Sequence, residues 1–416
     1  MSKIVIEGGV RLDGEIDVQG AKNSVLPILA ATVLNGDKNI IHNCPSLRDV
    51  DMTVKILRML GCRVEIEGNT IIIDSSTLND CRIDEELMRQ MRSSIVFLGA
   101  ITAKMGKAVV SMPGGCEIGA RPVDLHLNAL KRLGVDVVEN HGYIYCNTCG
   151  IKGEKIHLDF PSVGATENIM LAAVLGDGFT TITNAAREPE IIDLQDFLNK
   201  CGAKVSGAGS GVIRIEGVKK LHGVEHSIIP DRIAAATYLA AGAATGGVIT
   251  VNKVNPGHMN AMIHILTNMG NEIIEEQNRI RLKAPGRLKS FSAVKTLPYP
   301  GFPTDIQSPF MTLAAVADGT SIITETIFEN RFRNAEELAR MGANIKIDGR
   351  TAVVTGVKRL SGANVVAGEL RGGASLVIAG LNACGVTTID RCEYIDRGYE
   401  GIEKKLSHCG ARIYRE

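Results

Sequence analysis

The residue whose surroundings most favour chemistry is Cys116. It stands in Pro113-Gly114-Gly115-Cys116-Glu117-Ile118-Gly119-Ala120-Arg121, a long loop with three glycines, beside Arg121 and ahead of a helix expected to start at Pro122. A thiol there meets the positive potential of a guanidinium and a helix N-terminus, the setting of a reactive cysteine. Lys22 and Asn23, in Gly20-Ala21-Lys22-Asn23-Ser24, open a helix where anions bind readily, although a solvated surface lysine has the same local pattern. Asp305 closes the loop Tyr299-Pro300-Gly301-Phe302-Pro303-Thr304 ahead of another helix, as a helix cap or as an acid with a task. Arg92, Arg331 and Arg397 lie near helix ends; each alone reads as a surface ion pair, and together they suit a phosphate-rich ligand.

Other patterns carry less. Cys146-Asn147-Thr148-Cys149 has the spacing of half a zinc site or a redox pair, but no second such pair or histidine cluster accompanies it, and a hairpin turn is the expectation. Gly207-Ala208-Gly209-Ser210-Gly211 precedes a strand, and Gly106-Lys107 is followed by Ala108 where a phosphate-binding loop needs a hydroxyl. No metal and no cofactor is expected.

The elements that must position these residues repeat. Leu57-Arg58-Met59-Leu60-Gly61 recurs in kind at residues 130–134, 198–202, 266–270, 338–342 and 406–410, with the closing glycines 73, 68, 68, 72 and 68 positions apart. Each glycine follows an apolar stripe at helical spacing and reads as a helix stop. A β-branched run lies upstream of each helix, and alternating strands lie downstream, such as 63–67 and 70–73 across Gly68-Asn69. A second helix precedes the upstream strand, as in residues 25–33, entered from a strand near Ile16-Asp17-Val18. The unit is thus β-α-β-α-β-β, about 70 residues long, six times over, and two groups of three suit a chain of this length. The chain is expected to cross between domains near residues 217–230.

Composition bounds the function. Lys plus Arg and Asp plus Glu are 46 each in 416 residues, which argues against a nucleic-acid partner. The start lacks a signal-peptide core, and the uncharged stretches 233–252 and 372–389 are too rich in Ala, Gly and Thr for a membrane span. A cytoplasmic protein with free thiols is expected from ten cysteines without a secretion signal. Nothing specifies an oligomeric state.

Gly20 to Asn23, Pro113 to Cys116, Arg121 to Leu125, Pro300 to Asp305 and Phe328 to Phe332 together make the chain resemble the UDP-N-acetylglucosamine 1-carboxyvinyltransferases, enolpyruvyl transferases of the EPSP synthase superfamily. The resemblance spans essentially the whole chain. It implies an α/β fold, a two-domain inside-out α/β barrel with three repeat units per domain and the active site in the interdomain cleft. Residues 22–229 would form the domain carrying Cys116; residues 1–21 and 230–416 would form the second, carrying Asp305 and Arg397. It implies transfer of the enolpyruvyl group of phosphoenolpyruvate to the 3-hydroxyl of UDP-N-acetylglucosamine, the first committed step of peptidoglycan synthesis, by addition and elimination, at a site that fosfomycin targets. By resemblance Cys116 protonates the methylene carbon and can bond C2, Asp305 accepts the hydroxyl proton, and Lys22, Arg121 and Arg397 hold the phosphate and carboxylate. Asn23, Arg92, Arg121, Pro122, Val123, Asp124, Leu125, Ser162, Val163, Gly164 and Ile327 would line the nucleotide-sugar site, with Arg331 and Glu369 among the substrate-binding residues. A donor thiol needs its proton while its neighbours are cationic, so a pKa near or modestly above neutrality serves both demands.

The chain departs from the usual family pattern at Glu369-Leu370-Arg371, where Asp is usual first, at Gly372-Gly373, and at Ala234, where some members carry Glu. Other readings of the scaffold are the shikimate-phosphate branch, whose usual Asp-Lys-Ser is absent, a transferase for another uridine nucleotide, and a binder without activity, which retention of Cys116 and Asp305 disfavours.

Overall fold

Six glycines set the rhythm of the backbone in the computed structural model, which describes residues 2–112, 118–119 and 123–416. Gly61, Gly134, Gly202, Gly270, Gly342 and Gly410 all have φ between +85° and +96°. They follow the helices Arg48–Met59, Asp124–Arg132, Pro189–Lys200, Asn260–Asn268, Asn334–Arg340 and Ile402–His408. A side chain is disfavoured in that conformation, so glycine ends each helix and lets the next strand turn back.

Among the described residues there are six four-stranded sheets with one shared order. In the second repeat, Arg82–Ile83 pairs parallel with Lys107–Ser111, which pairs antiparallel with Tyr143–Asn147, whose hairpin partner is Asp136–Asn140. The parallel step demands a crossover helix, here Phe97–Met105. Helices in this crossover position, including Lys22–Ala31, Val163–Ala173, Arg232–Thr245, Gln307–Val316 and Leu370–Asn382, are buried nearly all round. Their small and apolar residues leave no polar stripe for water, so they pack on one another inside, while the sheets face outward. At one such approach a Cβ on Gly99 would lie 2.4 Å from the carbonyl oxygen of Asn168.

The chain forms two units. The described residues of one are 2–19, 118–119 and 230–416; those of the other are 20–112 and 123–229. Each has its own apolar core. The strand expected to lead into the first helix instead joins the fourth repeat: Asp13–Asp17 pairs parallel with Val248–Asn252. The first repeat takes Glu225–Ser227 as its parallel strand beside Lys38–His42. Both exchanges follow from the chain leaving one unit at residue 19 and returning at 230. Ile4–Glu7 likewise completes the sixth sheet, antiparallel to both Val386–Asp390 and Arg412–Arg415.

The stretches 233–252 and 372–389 are helices running into strands. No described helix is long and apolar enough to cross a membrane.

Candidate functional site

In the unit of residues 20–229, Lys22 is the first residue of its helix and is buried, with Nζ 2.6 Å from Asp49 Oδ2. Asp49 lies in the first turn of Arg48–Met59, where a carboxylate also suits the helix dipole. Lys22 is therefore a buried, paired ammonium, and Asn23 beside it is half-buried. Ser162 caps the helix Val163–Ala173, its hydroxyl accepting from Ala165 N at 3.3 Å, and the N–H groups of Val163 and Gly164 belong to the first turn and have no partner within the helix. A Cβ on Gly164 would stand 3.0 Å from the His126 ring. Asn168, fully buried, ties three segments together: its Nδ2 donates to Ile95 O at 3.0 Å and meets His126 Nδ1 at 2.7 Å, and its Oδ1 accepts from Gly99 N at 2.7 Å. The turn Arg92–Val96, the helix Phe97–Met105 and the helix Asp124–Arg132 are thus tied to the helix that Ser162 caps, and His126 faces Gly164 in its first turn. The helix begins at Asp124, two residues later than expected. Cys116, Arg121 and Pro122 lie outside the described residues.

In the other unit, Asp305 occupies a single turn, Thr304–Ile306, before the helix Gln307–Val316. It does not cap that helix. Its carboxylate accepts from Arg331 Nη2 at 3.0 Å and Arg371 Nη2 at 3.3 Å, and both arginines are buried. Arg331 is therefore no surface ion pair; Phe328 lies under its guanidinium at 5.8 Å. Glu369 caps the helix Leu370–Asn382 through Arg371 N and Gly372 N and lies 3.9 Å from Arg331 Nη1. Its extra methylene thus still brings a carboxylate to the helix start. Burial opposes the charge on Arg371, but Tyr399, Asp305 and Asp231 outweigh that and hold it above the ordinary arginine range. Its Nε and Nη1 have no hydrogen-bond partner among the described residues. Two buried guanidiniums around a part-exposed carboxylate form a site for anionic and hydroxylic groups.

Ile327 sits in a turn fastened by Glu325, whose carboxylate accepts from Ile327 N at 2.8 Å and Phe328 N at 3.1 Å. Beyond it, Asn330 N donates to Ile118 O at 3.0 Å, and a Cβ on Gly119 would come within 2.3 Å of Glu329 Oε2. Arg397 ends the turn Cys392–Arg397. That turn is clamped on one side by Arg415, which grips Asp396 with both Nη atoms at 2.8 and 2.7 Å, and on the other by Gln19, whose amide bonds Gly398 O at 3.0 Å and Glu400 N at 2.8 Å.

The sequence pattern does not single out Asp49, His126, Asn168, Glu325 or Tyr399, and it quotes Arg371 without a role. A polar residue inside an otherwise apolar helix stripe is the signal that could have found Asn168. Cys146 lies within the strand Tyr143–Asn147 and Cys149 in the loop leaving the sheet, so the pair does not form a hairpin turn. No group of metal-ligating side chains occurs among the described residues. Burial pushes the thiols of Cys44, Cys62 and Cys201 up to about 12 and that of Cys146 to about 11. Those four are inert packing groups.

Residues 6–406 match the EPSP synthase (3-phosphoshikimate 1-carboxyvinyltransferase) family. The chain is 54% identical over 415 residues to UDP-N-acetylglucosamine 1-carboxyvinyltransferase 2 of Caldanaerobacter subterraneus subsp. tengcongensis, covering 100% of each. It is 55% identical over 419 residues to UDP-N-acetylglucosamine 1-carboxyvinyltransferase 1 of Symbiobacterium thermophilum, covering 99% of this chain and 95% of that one. In backbone it is similar to the enolpyruvyl transferase NikO from Streptomyces tendae, with a TM-score of 0.90 at 24% identity over 100% of this chain and 98% of that one. EPSP synthase from Acinetobacter baumannii aligns with a TM-score of 0.76 at 18% identity over 100% of this chain and 99% of that one.

Proposed function

Since this chain belongs to the EPSP synthase family, we propose that it transfers the enolpyruvyl group of phosphoenolpyruvate to the 3-hydroxyl of UDP-N-acetylglucosamine and releases phosphate. The observation that carries this reading is its end-to-end likeness to carboxyvinyltransferases named for that sugar nucleotide. It works in the cytoplasm, at the first committed step of peptidoglycan synthesis.

The family resemblance supplies the roles of the residues, and the chemistry of the transfer says what each must do. The Cys116 thiol gives a proton to the methylene carbon of phosphoenolpyruvate, and C2 becomes electrophilic. The sugar 3-hydroxyl oxygen bonds C2 while Asp305 takes its proton. The tetrahedral adduct then returns a proton from the methyl carbon to the Cys116 thiolate as the C2–O bond to phosphate breaks, and inorganic phosphate leaves with the proton held by Asp305. No electron leaves the substrates, so the steps balance without a redox group. Lys22, Arg121 and Arg397 hold the phosphate and carboxylate, where cations act most strongly in a closed, poorly hydrated site. Arg331 and Arg371 orient Asp305, whose two oxygens they share. Asn23, Arg92, the segment 121–125, Ser162, Val163, Gly164 and Ile327 receive the nucleotide-sugar, the helix start at Ser162 suiting its anionic groups. Glu369 orders the helix start that carries Arg371.

The test is phosphate release from phosphoenolpyruvate with and without UDP-N-acetylglucosamine, for the native chain and Cys116→Ser. Release that requires the nucleotide-sugar and collapses in the variant is expected. Release independent of the nucleotide-sugar, or full activity in Cys116→Ser, would refute the assignment.

A further inference from the structure

The carboxylate of Glu325 takes no part in the steps above, yet its environment is built around it. The residue is 1% exposed. Oε1 accepts from Thr296 Oγ1 at 2.9 Å, Ile327 N at 2.8 Å and Phe328 N at 3.1 Å, and Oε2 accepts from Thr304 Oγ1 at 2.9 Å. Four donors from four different residues therefore converge on this one side chain.

What the four donors belong to matters more than their number. Thr304 is the residue immediately before Asp305, in the same single turn. Ile327 and Phe328 form the turn that leads to Arg331, the guanidinium that grips Asp305 Oδ1. Thr296 adds a lock from the neighbouring strand end: its hydroxyl also accepts from Thr326 N at 2.8 Å, and Thr326 Oγ1 donates to Thr296 O at 2.6 Å. The backbone of Glu325 is itself pinned, its N–H donating to Arg350 O at 2.8 Å. One buried side chain therefore spans two loops that are otherwise separate in sequence, and its two oxygens divide between them: Oε2 serves the Asp305 turn and Oε1 serves the Ile327 turn.

We propose that Glu325 is a positioning residue that sets the distance between Asp305 and the Ile327 turn, so that a nucleotide-sugar seated on Ile327 delivers its 3-hydroxyl to Asp305. This rests on the reading in which Asp305 accepts that proton and Ile327 contacts the nucleotide-sugar. Glu325 touches neither substrate. It acts by keeping two substrate-facing turns in fixed register, and catalytic geometry is sensitive to shifts on the order of 1 Å.

The division between the two oxygens makes the proposal testable one arm at a time. Thr304→Val removes the Oε2 arm at nearly constant volume and leaves the Ile327 arm intact; Thr304→Ser restores the hydroxyl. Steady-state phosphate release gives kcat and the KM of each substrate, and thermal unfolding monitors the fold. Thr304→Val is expected to lower kcat about tenfold or more, with KM for phosphoenolpyruvate within about twofold of native, and Thr304→Ser to recover most of the loss. In an Asp305→Asn background the same Thr304→Val change is expected to cost less than about twofold further, because the group it positions is already disabled. Glu325→Gln, which weakens both arms without changing shape, is expected to raise KM for UDP-N-acetylglucosamine as well as lower kcat. Native kcat in Thr304→Val, a loss undiminished in the Asp305→Asn background, or a Glu325→Gln defect confined to KM for phosphoenolpyruvate would each overturn the proposal while leaving the transferase reading intact. Native kcat in Asp305→Asn alone would instead remove the role of Asp305 on which the proposal rests, and the proposal with it.

Discussion

Replacing Asp49 by Asn isolates the energetics of the buried pair beneath Lys22. The ammonium and carboxylate stand 2.6 Å apart with side-chain exposures of 10% and 3%. At an effective dielectric of about 20 their attraction is roughly 6 kcal/mol, and desolvation of two ions consumes most of it. The pair is thus worth little net, but an amide in place of the carboxylate removes the counter-charge 2.6 Å from a buried ammonium, and breaking a buried pair typically costs about 3–5 kcal/mol. Asp49→Asn is expected to destabilise the unit of residues 20–229 by about that amount. Lys22→Met/Asp49→Leu, which removes both charges, should regain most of the loss. Because the chain has no tryptophan, guanidinium unfolding followed by far-ultraviolet circular dichroism is the suitable assay. The midpoint of the transition belonging to that unit should fall in the single variant with its slope unchanged. A single variant within about 1 kcal/mol of native, or a double variant as unstable as the single, would refute this account of the pair.

Alkylation should divide the thiols by burial: in the native state at pH 8, iodoacetamide followed by peptide mass spectrometry is expected to modify exposed Cys149 and Cys384 and spare Cys44, Cys62, Cys146 and Cys201, whose thiols are held at about 11 to 12. Glu167 is raised well above the ordinary carboxyl range by burial, then by Glu190 and Glu188. The folded state therefore holds this proton more tightly than the unfolded chain, so the stability it contributes is full below the unfolded pKa of about 4.3 and is lost as pH rises through the folded pKa. Glu167→Gln should match the native chain near pH 4 and exceed it in unfolding free energy at pH 8; a larger gain at the acid end would show the sign to be wrong.

The repeat was legible because its markers are local. A helix stop needs glycine at a left-handed position whatever the rest of the chain does, and all six stops appear where the spacing places them. Strand partnership is not local. The alternation in residues 13–17 reports that one face is buried, but nothing in it distinguishes the neighbouring repeat from Val248–Asn252, more than two hundred residues on. The same limit applies to side chains. An aspartate just ahead of a helix looks like a cap, and only the arrival of Arg331 and Arg371, 26 and 66 positions away, turns Asp305 into the centre of an ion cluster. In sequence Lys22 reads equally as an anion site or a solvated surface lysine; its burial was not legible, because its partner Asp49 is hidden among the ordinary acids of a helix first turn.

Lys3 and Glu416 exchange backbone hydrogen bonds of 2.8 and 2.9 Å in the sixth sheet. Residues 3 and 416 are therefore adjacent, while the chain leaves one unit after residue 19 and comes back to it at residue 230, with residues 118–119 a brief earlier return. Joining residue 3 to residue 416 through a short linker and opening the chain before Pro230 would reorder it as 230–416, 3–19 and 20–229. Every sheet would keep its strands, and residues 230–416 and 3–19 would run as one continuous stretch, with residues 118–119 of the same unit still carried inside the other. A ribosome making that permuted chain would make the strands at residues 4–7 and 13–17 after their partners, whereas in the natural order they wait for partners made more than two hundred residues later.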